Sequence, residues 1–189
     1  MKKIGKFLYK NRDKTGIPFF IIILFFVNPN VKNFFLSLPL LILGELLRIY
    51  SLMYAGEATR AKDLKASFLV TGGPYAFLRN PIYLGNFFIS LSIMIFYNPP
   101  IYFFLLFIFL FFLQYFLIVL EEENFLEKEF GEEYRIYKKN TYRFFPKLKP
   151  YSKRTRKLYN FFEVFKFEKS TIFLILFLIL LGFLIIYLK

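Results

Sequence analysis

Residues 101–120 form a run of twenty side chains in which Gln114 is the only strongly polar one. At about 1.5 Å per residue such a helix reaches roughly 30 Å, the hydrocarbon thickness of a bilayer. In lipid, every backbone polar group must be satisfied inside the segment, so a chain carrying this run folds as membrane-crossing helices. The run leads directly into Glu121-Glu122-Glu123. Carboxylates at the C-terminus of an oily helix are disfavoured both by mutual repulsion and by the negative end of the helix dipole. Something positive has to compensate them: a bound cation, a cationic ligand or nearby Lys and Arg side chains. A solvated charge run is the plainer alternative.

Four further apolar stretches, residues 17–27, 31–54, 82–97 and 171–188, give an all-α, polytopic helical membrane protein with about five transmembrane helices. Asn28-Pro29-Asn30 and Asn98-Pro99-Pro100 are turn signals that close two hairpins. Residues 17–27 span only about 16 Å as a helix, so the first element either extends backward or crosses incompletely. No small-residue cleavage site follows it, which argues against a signal peptide.

The net charge of +13 is informative through its placement. Six Lys or Arg lie in residues 1–14, four in 55–81 and thirteen in 121–170, so 23 of the 26 fall on one side. Lys32 and Lys189 fall on the other side, and Arg48 lies within a span. This bias predicts a cytoplasmic N-terminus and accounts for the charge without a nucleic-acid partner. Enrichment in Lys, Ile, Asn and Phe, with no cysteine, points to a prokaryotic cytoplasmic membrane. Residues 147–169 are rich in Tyr, Lys and Arg. Their Phe161, Phe162, Phe165 and Phe167 alternate with charge, which fits either an interfacial helix on anionic lipid or a positive-inside anchor.

The chain divides into a basic N-terminus with the first hairpin (residues 1–54), a core (55–150) and a basic segment with the last helix (151–189). Cysteine and histidine are both absent. That excludes disulfides, thiol nucleophiles, histidine acid–base chemistry and the usual zinc sites, and no metal site is expected. Proton transfer is left to Glu, Asp, Tyr, Lys or water.

Two polar stretches remain. In residues 67–85, Gly72, Gly73, Pro74 and Pro81 specify a bent backbone, which near membrane depth is tolerated mainly where it lines a cavity. A simple loop is the alternative. Glu45 and Arg48, three residues apart on one helix face, form either a structural ion pair or part of a cavity wall.

The 67–85 stretch and the stretch from Glu121 to Pro146 together resemble the isoprenylcysteine carboxyl methyltransferase family, which is similar in turn to the phospholipid N-methyltransferases. The family's Gly-x-Tyr, three residues, Arg-His-Pro-x-Tyr-x-Gly is matched by Gly73, Tyr75, Arg79, Pro81, Tyr83 and Gly85, with Asn80 in place of the histidine. Its Glu-Glu-x-x-Leu-x-x-x-Phe-Gly-x-x-Tyr-x-x-Tyr is matched by Glu122, Glu123, Leu126, Phe130, Gly131, Tyr134 and Tyr137, followed by Pro146. The resemblance covers roughly residues 44–146.

What the resemblance implies is a cytoplasmic S-adenosylmethionine pocket and a membrane-lipid or isoprenoid acceptor that enters from the bilayer. By position, cofactor contacts come from Ser67, Phe68, Leu69, Val70, Tyr75, Asn80, Pro81, Ile82, Tyr83 and Glu122. Arg60 occupies a further contact position with a different side chain from the family's. Arg79 and Arg143 are the candidates for orienting the acceptor, because Ile118 stands where the prenylcysteine enzymes have the arginine that holds the substrate carboxylate. The acceptor is either a prenylated carboxylate, giving O-methylation, or a phospholipid amine. A non-catalytic lipid-binding protein that keeps the fold is the rival from another class. A channel or transporter subunit has only Glu45, Arg48 and Gln114 to support it.

Overall fold

The structure is a computed structural model that describes residues 2–56, 64–155 and 158–189. Arg60 lies outside the described residues. Six α-helices are described: α1 (Lys2–Lys10), α2 (Ile17–Leu24), α3 (Val31–Ala55), α4 (Pro81–Tyr97), α5 (Ile101–Asn140) and α6 (Phe161–Leu188), with a 3₁₀ turn at Gly73–Ala76.

Local chemistry fixes these boundaries. The Asn30 side chain accepts the Asn33 amide at 2.8 Å and starts α3. Pro81 sits in the first turn of α4, where its missing N–H costs nothing, and Asn98 ends that helix in the left-handed conformation at φ 47°. Asn160 caps α6 by accepting the Phe162 amide, while Glu163 accepts the Asn160 amide at 2.9 Å.

Helices α3, α5 and α6 are long and apolar enough to cross a membrane, and α4 is a shorter apolar helix. The expected helical membrane architecture is present. The first apolar run is a helix of only 8 residues, about 12 Å long, and a turn separates it from α1. It does not extend backward into one long helix. Its far end is nevertheless tied down, since the Asn28 amide donates to Tyr97 O at 2.9 Å. The Lys189 ammonium donates to Val27 O at 3.0 Å and Asn28 Oδ1 at 3.2 Å.

Two expectations about helix ends are overturned. The three carboxylates do not terminate an oily helix, because α5 stays helical past them to Phe130 and, beyond a kink at Gly131, continues to Asn140. In mid-helix they escape the dipole penalty. The helical geometry breaks only at Gly131, whose φ of 51° favours glycine. The last helix also begins ten residues earlier than its apolar pattern, so Phe161, Phe162, Phe165 and Phe167 are its first turns rather than a separate interfacial element. With its capping box formed, the helix has no reason to start later.

The helices α3 and α4 form the tightest pair. A Cβ at Gly44 would sit 2.8 Å from Gly85 O, and one at Gly85 2.8 Å from Gly44 O. Only glycine on both sides allows this approach. At the Tyr97 end, Ile23, Ile93, Phe96, Tyr97, Phe103 and Phe107 form an apolar core. At the other end, Leu69, Ala76, Tyr134, Tyr137 and Tyr151 form a second one. Backbone bonds from Arg79 N to Tyr142 O at 2.8 Å, Lys147 N to Phe77 O at 2.9 Å and Tyr151 N to Ala76 O at 2.8 Å lay the segment after α5 along the bend before α4. That pairing brings the two polar stretches of the sequence together.

Candidate functional site

Between the helices lies a cavity of about 1510 Å³. Residues of α2, α4, α5 and α6 give it apolar walls, among them Phe20, Ile89, Phe107 and Leu174, and its polar rim is built from the 64–83 segment, the turn after α1 and the start of the polar half of α5.

The rim centres on Glu122, two residues past the apolar run of α5. Tyr83 donates its hydroxyl to Glu122 Oε1 at 2.6 Å, linking α4 to α5. Burial pushes the Glu122 carboxyl up to about 7, against the opposing effects of the Tyr83 hydrogen bond and the Arg12 guanidinium. The neighbouring Glu123 is shifted the other way. Burial works to raise it as well, but Arg143 and Arg79 outweigh that and hold it below the usual carboxylate range. Adjacent carboxylates on one helix thus have separate tasks. Glu123 is 4% exposed and bound by Arg79 Nε at 3.0 Å and by Arg143 Nε and Nη2 at 3.0 and 2.6 Å. Glu122 faces the cavity with one phenol.

Nine of the ten residues expected to hold a cofactor line this cavity: Ser67, Phe68, Leu69, Val70, Tyr75, Asn80, Ile82, Tyr83 and Glu122. Pro81 is buried in the first turn of α4 and positions Ile82 and Tyr83. Tyr75 is fixed through its backbone, because the Tyr137 hydroxyl donates to Tyr75 O at 2.7 Å. Burial pushes the phenols of Tyr75 and Tyr137 up, which keeps them neutral. Asn80 donates its amide to Arg143 O at 2.9 Å, so the residue in the histidine position ties the bend to the segment after α5.

Arg79 reaches the cavity wall, with Nη1 donating to Lys138 O at 2.9 Å and also to Thr141 O. Arg143 lies behind the wall, against Glu123 and 5.4 Å from the Phe116 ring centroid. The compensating charge for the carboxylates therefore includes these two guanidinium groups. Ile118 is fully buried and is not among the cavity-lining residues.

Several lining residues escaped the sequence reading. Arg12 and Asp13 come from the basic N-terminus, where their charge signalled only orientation. The Arg12 guanidinium stacks 4.3 Å from the Tyr9 ring centroid and lines the same cavity as Glu122. Deeper in, Asn86 donates to the Tyr115 hydroxyl at 3.1 Å, and Arg48 donates to Asn86 Oδ1. Arg48 is at once ion pair and wall: it lies 3.9 Å from Glu45, binds Glu168 of α6 at 2.8 and 3.0 Å, and lines the cavity. Glu168 carried no sequence signal of its own, since a lone acid after a basic stretch reads as surface. Among the described residues no group of three or more Asp or Glu is arranged to hold a metal ion.

No curated protein and no solved structure matches the chain. A family model described as phospholipid methyltransferase matches residues 32–133, from the start of α3 to just past the Glu122–Glu123 pair and Gly131. That match covers more than half of the 189 residues and both halves of the Tyr83–Glu122 contact, and on it the chain belongs to the phospholipid methyltransferase family.

Proposed function

We propose that this protein is an S-adenosylmethionine-dependent methyltransferase of the membrane that acts on a lipidic acceptor. The observation that carries the reading is the Tyr83–Glu122 pair, on the polar rim of a large cavity whose remaining walls are apolar helices. Such a cavity suits two ligands of unlike chemistry, a polar cofactor at the rim and a lipid entering from the side.

The residues present fit the cofactor. Glu122 supplies a carboxylate for a cationic ligand or for hydroxyl groups, and the faces of Tyr83 and Tyr75 suit a sulfonium or an adenine. Residues 67–70 offer backbone along the same rim. When bound, S-adenosylmethionine supplies a methyl group that is already activated for displacement. The chain then has to orient the ligands and exclude water, which needs no histidine. Asn80 carries no proton at neutral pH, and its bond to Arg143 O instead holds the bend in register. Arg79 and Arg143 act in this reading by fixing Glu123 beneath the rim, with Arg79 at the wall available to orient an acceptor. The positive-inside bias supports a cytoplasmic rim, and the composition supports a prokaryotic cytoplasmic membrane.

Both a prenylated carboxylate and a phospholipid amine are acceptors of the right class. The buried Ile118, in the position of a carboxylate-holding arginine, and the matched family favour the amine. The test is calorimetric titration of S-adenosylmethionine into detergent-purified protein, native and with Glu122→Gln or Tyr83→Ala. Saturable binding that both variants lose is the expected result. Labelled methyl then appears in lipid extract as a stable methylamine, whereas a base-labile ester would identify O-methylation. A folded native protein that binds no cofactor in detergent or lipid would leave the non-catalytic lipid-binding reading.

A further inference from the structure

Below the Tyr83–Glu122 pair, a second polar rung joins the same two helices. Asn86 is one turn further along α4 than Tyr83, and Tyr115 is two turns deeper along α5 than Glu122, about 10 Å. Asn86 Nδ2 donates to the Tyr115 hydroxyl oxygen at 3.1 Å. Both residues line the cavity, between aromatic neighbours: the Tyr115 ring lies 4.4 Å from Phe111 and 4.6 Å from Tyr83, centroid to centroid.

The rung is anchored from behind. Arg48 donates to Asn86 Oδ1, and is itself held by Glu168 at 2.8 and 3.0 Å and by Thr171 Oγ1 at 3.3 Å. The Asn86 carbonyl is therefore committed, and so is one lone pair of the Tyr115 oxygen. What remains is the Tyr115 O–H, which has no acceptor among the described residues. A hydroxyl donor in an apolar cavity is costly to leave unmatched.

Charge narrows the ligand. Arg48 is balanced by Glu168 and by Glu45 at 3.9 Å, so the cluster exerts no net pull on an oxyanion. A phosphodiester or a carboxylate gains nothing by descending here. A hydroxyl would bring a donor of its own to a cluster that leaves only the second lone pair of the Tyr115 oxygen to receive it. An uncharged carbonyl oxygen matches on every count.

Resting on the methyltransferase reading of the cavity, we propose that Tyr115, set by Asn86 and Arg48, is a specificity residue that binds an ester carbonyl of an acyl glycerolipid acceptor. The tails would then follow the apolar walls, and the head group would reach up to the rim.

The test compares two soluble probes with the same head group and charge: dihexanoyl phosphatidylethanolamine and its dihexyl ether analogue. Each is titrated calorimetrically into full-length protein saturated with S-adenosylhomocysteine. The native protein is expected to bind the ester about tenfold more tightly than the ether, the worth of one hydrogen bond to a buried donor. In Tyr115→Phe, which keeps the ring, the two probes should bind alike, with S-adenosylhomocysteine affinity unchanged. Equal native affinity for ester and ether, binding of neither, or an ester preference that survives in Tyr115→Phe would each overturn the proposal. The native comparison needs no variant, so a poorly folding mutant does not rescue the idea. S-adenosylhomocysteine is first titrated into each unsaturated preparation, and absence of its binding would count against the methyltransferase reading instead.

Discussion

Tyr83 and Glu122 are 39 residues apart in sequence and 2.6 Å apart in space, the phenol of one helix donating to the carboxylate of the next. The contact places a carboxylate with a near-neutral pKa at the rim of an apolar cavity, and most of the functional predictions follow from it.

Removing the Glu122 charge with Glu122→Gln should weaken S-adenosylmethionine binding about ten- to hundredfold, the range for a charge-assisted hydrogen bond. The fold should survive, because Gln keeps the shape and can still accept from Tyr83. Titration calorimetry alongside thermal melting separates the two effects, and an unchanged dissociation constant would remove Glu122 from the cofactor site.

The pH dependence has a definite sign. With its carboxyl pushed up to about 7, Glu122 is mostly protonated below that value and ionised above it. Affinity for a cationic ligand should therefore plateau above pH 8 and fall about tenfold per unit below pH 7. Near pH 6.5 binding should release a proton, which is visible as an enthalpy that depends on the buffer's ionisation heat. Tyr83→Phe deletes a hydrogen bond that lowers this pKa, so the midpoint should move upward. A flat profile between pH 5 and 9 would contradict the assignment.

Glu123 should govern stability rather than binding. Replacing it with Gln strips the charge that holds Arg79 and Arg143 together and should cost about 3 kcal/mol, the lower end for a broken buried pair, because Arg143 is partly exposed. Its folded pKa lies below the ordinary 4.5, so this stability is present above pH 4.5 and is lost as pH falls. Melting temperatures of native and Glu123→Gln protein should differ most at pH 7 and converge towards pH 3.

At the α3–α4 crossing, Gly44→Ala would press a Cβ to 2.8 Å from Gly85 O, a backbone atom that cannot step aside. A loss of about 1–3 kcal/mol is expected from such overpacking. Gly16→Ala meets nothing within 4 Å and is the matched control, with little change in melting temperature.

The sequence by itself determined the class of the molecule and pointed to part of its rim. Apolar runs of bilayer length, turn signals at Asn28–Asn30 and Asn98–Pro100, and basic residues gathered on one side are local or additive properties, readable without knowing what touches what. The starts of α3 and α4 follow from local residues, the cap Asn30 and the first-turn Pro81. The family resemblance, carried over by position, likewise pointed to nine residues that line one cavity.

Only the tertiary structure decided which carboxylate does what. Glu122 and Glu123 are chemically identical neighbours, and successive residues on a helix point about 100° apart, so one meets Tyr83 and the cavity while the other meets two arginines. The placements of Arg12, Asn86, Tyr115 and Glu168 were equally hidden. Each depends on a partner from another helix or on the walls of a shared cavity, and the periodicity of one segment carries no information about the face presented by another. Helix α5 makes the same point about length: its apolar pattern ends at Leu120, but the chain stays helical to Phe130 and again from the kink at Gly131 to Asn140, because packing against the bend and the arginine clamp sustain it where hydrophobicity no longer does.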